Sequence, residues 1–217
     1  MPDTSSLKNF NATCGGGLVL NKDVYDMQPG EALQLVNFEP STEGGYRRLN
    51  GTTKYNSTIV PQVTSAADRV QMSAIFNDKI IAARGGSVYY GGTSGAWTSL
   101  ATSQGANLTY DFDKFNFNGT SKIIIATGEA AAFTVDTSFN VDVINGSTGG
   151  TAPTNPKFVK TFANHVFYGG MSNSTHSILF SVPFSEDNFT SGSGAGEIKV
   201  GDVVTGLKVF RDELFIF

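Results

Sequence analysis

Phe115-Asn116-Phe117-Asn118-Gly119-Thr120-Ser121-Lys122-Ile123-Ile124-Ile125 reads as a strand, a two-residue turn and a returning strand. Phenylalanines alternate with asparagines, as a half-buried strand requires, and Asn-Gly is a strong short hairpin signal. The same unit stands at three other places. Ala74-Ile75-Phe76 turns at Asn77-Asp78 into Lys79-Ile80-Ile81-Ala82-Ala83. Phe158-Val159-Lys160-Thr161-Phe162 turns at Ala163-Asn164 into Val166-Phe167-Tyr168, and Leu207-Lys208-Val209-Phe210 turns at Arg211-Asp212 into Leu214-Phe215-Ile216-Phe217. From Asp78 the turn recurs at Gly119, Asn164 and Asp212, in steps of 41, 45 and 48 residues. Short strands repeating every roughly 40–50 residues predict β-propeller blades, one four-stranded sheet per repeat.

Composition agrees with an all-β chain. The 217 residues include 25 Gly and 17 Phe but one Trp, with Thr, Ser and Asn crowding the gaps between apolar runs. That mixture suits short strands joined by tight turns and argues against helices. A net charge of −4 with 16% charged residues lacks the usual basic footprint for nucleic acid. Cys14 stands alone, so no disulfide forms within the chain. There is no run of about 18 apolar residues and no basic-then-apolar leader. The expectation is a protein made in the cytosol, with no membrane partner. The Asn-x-Ser/Thr triplets, among them Asn56-Ser57-Thr58 and Asn107-Leu108-Thr109, are then unused.

The spacing divides the chain into an N-terminal arm with a short helix and first hairpin over 1–60, and blades over 61–217. Residues 1–10 are polar and expected to be loose. Leu18-Val19-Leu20 reads as a strand. Met27–Val36 reads as the helix, with Glu31 in its first turn where the dipole favours an anion. Asn37-Phe38-Glu39-Pro40 stops it; Gly44-Gly45 opens the strand Tyr46–Leu49, which ends at the hairpin turn Asn50-Gly51. Gly149–Pro156 is a linker between repeats, and Ser191–Gly196 a loop inside the third. The count gives about three blades and the start of a fourth. Because propellers close with about four to eight blades, an incomplete propeller, the front part of a longer protein, is expected.

Few residues carry reactive chemistry. His165 and His176 with Cys14 do not make the paired ligand spacing of a zinc site. Asp111–Gly119 has the alternating oxygens of a calcium loop, but Lys114 falls at the first ligand position. Gly192-x-Gly194-x-Gly196 lacks the strand and helix that would aim amides at a phosphate. No catalytic residue, cofactor or metal ligand is assigned. Arg47-Arg48 is the adjacent basic pair, read either as an inter-subunit or phosphate contact or as a solvated strand face.

Gly16-Gly17-Leu18, then Met27-x-Pro29-Gly30-Glu31-Ala32-x-x-Leu35-x-Asn37-Phe38-x-Pro40, then Gly44-Gly45-Tyr46-Arg47-Arg48 and Gly51, resembles the opening of a known family. These are the tail nozzle and DNA-stabilisation (tail accessory) proteins of short-tailed bacteriophages. Pro156-Lys157-Phe158, His165-Val166-Phe167, Ile178–Ser181, Glu186-Asp187-Asn188-Phe189 and Val204–Leu214 are similar to later parts of that family. The resemblance implies a non-enzymatic virion component at the portal–tail junction. Copies would form a ring, generally sixfold, that contacts portal, adaptor and tail proteins, lets double-stranded DNA pass and retains packaged DNA. In such a ring Phe38, Tyr46, Arg47 and Arg48 of the arm are the expected inter-subunit contacts. Family members are longer than this chain.

Two rival readings stand beside it. A carbohydrate- or receptor-binding propeller would use exposed aromatics, with Tyr89, Tyr90 and Trp97 as candidates. A bladed hydrolase or lyase would need convergent acids or histidines, and the sequence offers no such set.

Overall fold

Four tight turns set the architecture. In the computed structural model, which describes residues 15–41, 45–61 and 69–217, both central residues of each of these four turns lie in the left-handed region. They are Asn77 and Asp78 (φ 45° and 58°), Asn118 and Gly119 (54° and 81°), Ala163 and Asn164 (47° and 66°), and Arg211 and Asp212 (49° and 59°). Two consecutive positive φ values mark type I′ turns, whose twist matches that of the strands they join. The polar leader 1–10, Cys14 and Gly44 lie outside the described residues.

The chain divides into two compact units, Met1–Lys54 and Tyr55–Phe217. In the second unit the turns generate three four-stranded antiparallel meanders and a hairpin. Blade 1 contains β5 (Val70–Phe76), β6 (Lys79–Arg84), β7 (Ser87–Gly91) and β8 (Thr98–Ala101). Blade 2 contains β9 (Asp111–Phe117), β10 (Thr120–Ala126), β11 (Phe133–Asp136) and β12 (Val141–Val143). Blade 3 contains β13 (Phe158–Phe162), β14 (His165–Met171), β15 (Ser174–Phe180) and β16 (Gly196–Lys199); β17 (Leu207–Phe210) pairs with β18 (Glu213–Ile216). Strands follow chain order across each sheet. Among the first strands, β13 lies beside both β9 and β17. The protein is all-β, a propeller-like array of antiparallel blades.

Packing explains why β10 and β14 carry apolar residues in unbroken succession. Ile123 and Ile125 join Met72, Ala74, Phe76, Ile81 and Val88 in a core between blades 1 and 2. Ile124 and Ala126, pointing the other way, join Val159, Val166, Tyr168 and Phe189 between blades 2 and 3. Phe167, Ile178, Val204 and Leu207 make a third core between blade 3 and the β17–β18 hairpin. A sheet buried on both faces loses the polar half of its alternation. Each fully buried Ile contributes about 1.5–3 kcal/mol.

An aromatic contact registers successive blades. Phe76, just before the first turn, meets Phe139 of blade 2 edge-on (centroids 6.4 Å apart, 84°). The corresponding Phe117 meets Phe184 of blade 3 edge-on (6.2 Å, 77°). Both receiving rings sit on left-handed residues, φ 64° at Phe139 and 59° at Phe184. That conformation costs about 1–2 kcal/mol; edge-on aromatic pairing, about 0.5–1.5 kcal/mol beyond area burial, offsets part of it.

The stretch read as the end of the arm belongs with blade 1. Asn56 Nδ2 donates to the carbonyls of Gly92 and Gly95, the Trp97 indole N–H donates to Thr58 O, and Arg84 donates to Val60 O.

The first unit corrects two expectations. There is no helix over Met27–Val36. A single 3-10 turn lies earlier, at Val24–Asp26, capped by Asp23. Gly30 is left-handed (φ 92°), and β2 (Glu31–Ala32) pairs in parallel with β1 (Gly17–Leu18). The apolar residues of the stretch have no core to face: Leu33 is 40% and Val36 60% exposed. A short amphipathic helix depends on such a core. Nor does β4 (Tyr46–Arg48) turn at Asn50-Gly51. It pairs backwards with β3 (Phe38–Pro40), and Leu49 N–H extends that pairing to Asn37 O (2.8 Å).

Candidate interaction surfaces

The junction between blades 2 and 3 is held by carboxylates. Asp111 and Asp113, alternate residues of β9, accept from alternate amides of β13. Val159 N–H donates to Asp111 Oδ2 (3.0 Å), and Thr161 N–H and Oγ1 both donate to Asp113 Oδ2 (2.6 Å each). Lys160 Nζ adds bonds to Asp111 Oδ1 (2.6 Å) and Phe112 O (2.9 Å). Adjacent first strands of two blades do not share a ladder, so these side chains act where a partner strand's carbonyls would. Of the oxygens that the sequence offered to calcium, the Asp111 and Asp113 carboxylates are therefore bonded to blade 3. Among the described residues no group of three or more His, Cys, Asp or Glu is placed to hold a metal ion.

The segment Glu186-Asp187-Asn188-Phe189 closes the same junction. The Glu186 carboxylate pairs with Lys122 of β10, and its carbonyl accepts from Tyr168 OH (2.7 Å). Burial beside the Glu186 and Asp187 carboxylates raises the Tyr168 phenol well above its ordinary pKa, desolvation being the larger cause. Asp187, 8% exposed, accepts from Asn145 N (2.8 Å), Gly146 N (2.7 Å), Ser147 N (3.0 Å) and Ser147 Oγ (2.7 Å). Asn188 Oδ1 accepts from Thr190 N (3.0 Å), and Phe189 lies in the blade 2–blade 3 core.

The four residues expected to make inter-subunit contacts separate three to one. Register opposes Phe38 to Arg48, Glu39 to Arg47 and Pro40 to Tyr46. Phe38, Tyr46 and Arg48 therefore share one face of the hairpin. Phe38 and Tyr46 meet edge-on (5.6 Å, 87°). On the opposite face Arg47 Nε donates to Glu39 Oε1 (2.8 Å), an exposed pair. Arg48 is exposed, with no counter-ion among the described residues, and lines a hollow of about 570 Å³ with Asn37, Leu49, Asn50, Gly51 and Thr52.

The aromatics considered for sugar binding are engaged within blade 1 and its contacts. Tyr89 is 5% exposed, Tyr90 stacks on Phe139 (4.1 Å, 6°), and Trp97 covers Gly91, where a Cβ would come within 2.7 Å of the indole. His165 Nδ1 lies 2.6 Å from Ser181 O, and His176 Nδ1 lies 3.1 Å from Thr175 Oγ1. No helix among the described residues is long and apolar enough to cross a membrane.

The sequence missed the carboxylate junction. A signal existed in the Asp-x-Asp of β9, but its acceptors' partners lie 48 residues onward. Scanned against protein-family models the chain matches none, and no curated protein matches it in sequence.

Proposed function

We propose that this chain is a non-enzymatic structural virion protein of a tailed bacteriophage. It would be a subunit of a ring at the portal–tail junction that extends the DNA channel and retains packaged DNA. The resemblance of the arm and of the later strands to tail nozzle and tail accessory proteins supports the reading. The observation that carries it is the use made of Glu186–Phe189. The segment that carries part of the resemblance is spent on clamping one blade to the next. A wall under pressure from packaged DNA needs rigid sheets whose polar groups are consumed internally. Ring contacts would run head-to-tail between copies and close on themselves.

Multi-angle light scattering on the purified chain at micromolar concentration tests the assembly. A concentration-dependent rise to a closed oligomer is expected. A strict monomer, or turnover of any substrate by the chain, would overturn the proposal.

A further inference from the structure

The assembly reading above leaves open which surface receives a neighbouring copy. We infer that the Phe38–Tyr46–Arg48 face of the β3–β4 hairpin is that surface, and that Arg48 binds a carboxylate presented by a second copy of this chain.

Alternation along β4 gives adjacent arginines different work. Arg47 is neutralised by Glu39 across the strand pair. Arg48 lies on the other face, exposed and without a counter-ion among the described residues. Its guanidinium fork suits a planar oxyanion taken bidentately. Among the described residues none that lines the hollow beside it is acidic, and Asn37, Asn50 and Thr52 add hydrogen-bonding groups around that space. Phe38, 43% exposed, and Tyr46 bring aromatic surface to the same face. Aromatics with arginine are the composition that protein interfaces favour.

The charge of the chain selects the partner. At −4 a second copy presents more carboxylates than ammonium or guanidinium groups. A nucleic-acid duplex is the poorer fit. Duplex binding draws on several cations at once, and here Arg47 is already paired, while the described hairpin side chains that share the face of Arg48 are Phe38 and Tyr46, neither of them basic. The contact is heterologous, since the carboxylate comes from a different surface, and it can therefore propagate around a ring.

Sedimentation velocity on the full chain, with R48A, R48K and R47A beside it, tests the inference; a blunt 12-base-pair duplex serves as the competing probe. R48A is expected to raise the concentration for half-association about tenfold, R48K by less, because it keeps charge but loses the fork. R47A should change it less than twofold. Added 100 mM sodium acetate should weaken wild-type association and leave R48A unaffected. Association of R48A at the wild-type concentration overturns this inference alone, leaving the assembly reading in place. A wild-type monomer at every concentration overturns both. Duplex binding that R48A abolishes, with association unchanged, assigns the face to nucleic acid and overturns the carboxylate.

Discussion

Asp187 shows how much one side chain holds at this scale. Three amides and a hydroxyl converge on its buried carboxylate. Asp187→Ala leaves the Asn145 and Gly146 amides without a partner, Ser147 N–H keeping its bond to Asn145 Oδ1 (2.8 Å), and urea unfolding should read a loss of about 3 kcal/mol. Asp187→Asn keeps one acceptor and should cost less than the alanine. Glu31 supplies a pH dependence in the first unit. The Lys22 ammonium (2.7 Å) and the Gln28 N–H (2.8 Å) hold its carboxyl below the usual range, against a smaller desolvation effect. A lowered folded value means that the contribution is fully present above the unfolded value and is lost as pH falls through the folded one. Amide chemical shifts of Ala32 and Val19 should therefore hold steady above about pH 5 and move toward unpaired values below about pH 4. A change centred near neutrality would contradict the assignment.

Among elements, the turns and the aromatic contacts between blades bear the most strain. Ala163 and Arg211 hold left-handed conformations without the tolerance of Gly or Asn. Ala163→Gly should raise unfolding stability by about 0.5–1 kcal/mol, the relief of that strain exceeding the extra entropy of glycine in the unfolded chain. Phe139→Ala removes both the edge contact to Phe76 and the stack on Tyr90. It should cost about 2 kcal/mol in the same assay. The hairpins were legible because each turn lies between apolar runs and needs only its neighbours to form. The β10 run Ile123–Ala126 was legible as strand, yet which isoleucine faces which blade follows only from the stack. The arm misled because Leu33, Leu35 and Val36 copy a helical spacing too short to fold without a surface to cover. The Asp-x-Asp of β9 was ambiguous because carboxylates at alternate positions suit a cation or a row of amides equally. Only the approach of β13 decides between them.

At the scale of the molecule, the second unit is a stack in which blade 2 is covered by blade 1 on one side and by blade 3 on the other. Such a stack loses stability as a whole when its middle sheet is weakened. Ile124→Ala should cost about 3 kcal/mol and lower the unfolding midpoints seen by Trp97 fluorescence in blade 1 and by far-ultraviolet circular dichroism together. Separate midpoints would indicate sheets that unfold independently. The proposed ring places further copies around this stack and draws on its rigidity. The most direct measurement of the blade array itself is a methyl–methyl and methyl–aromatic nuclear Overhauser experiment on the chain labelled at isoleucine, methionine, valine, phenylalanine and tyrosine. Ile123 and Ile125 methyls should show cross-peaks to Met72 and Val88, and Ile124 to Tyr168 and Phe189, with Phe76–Phe139 and Phe117–Phe184 contacts beside them. Cross-peaks from all three isoleucines to one and the same set of partners would contradict the array.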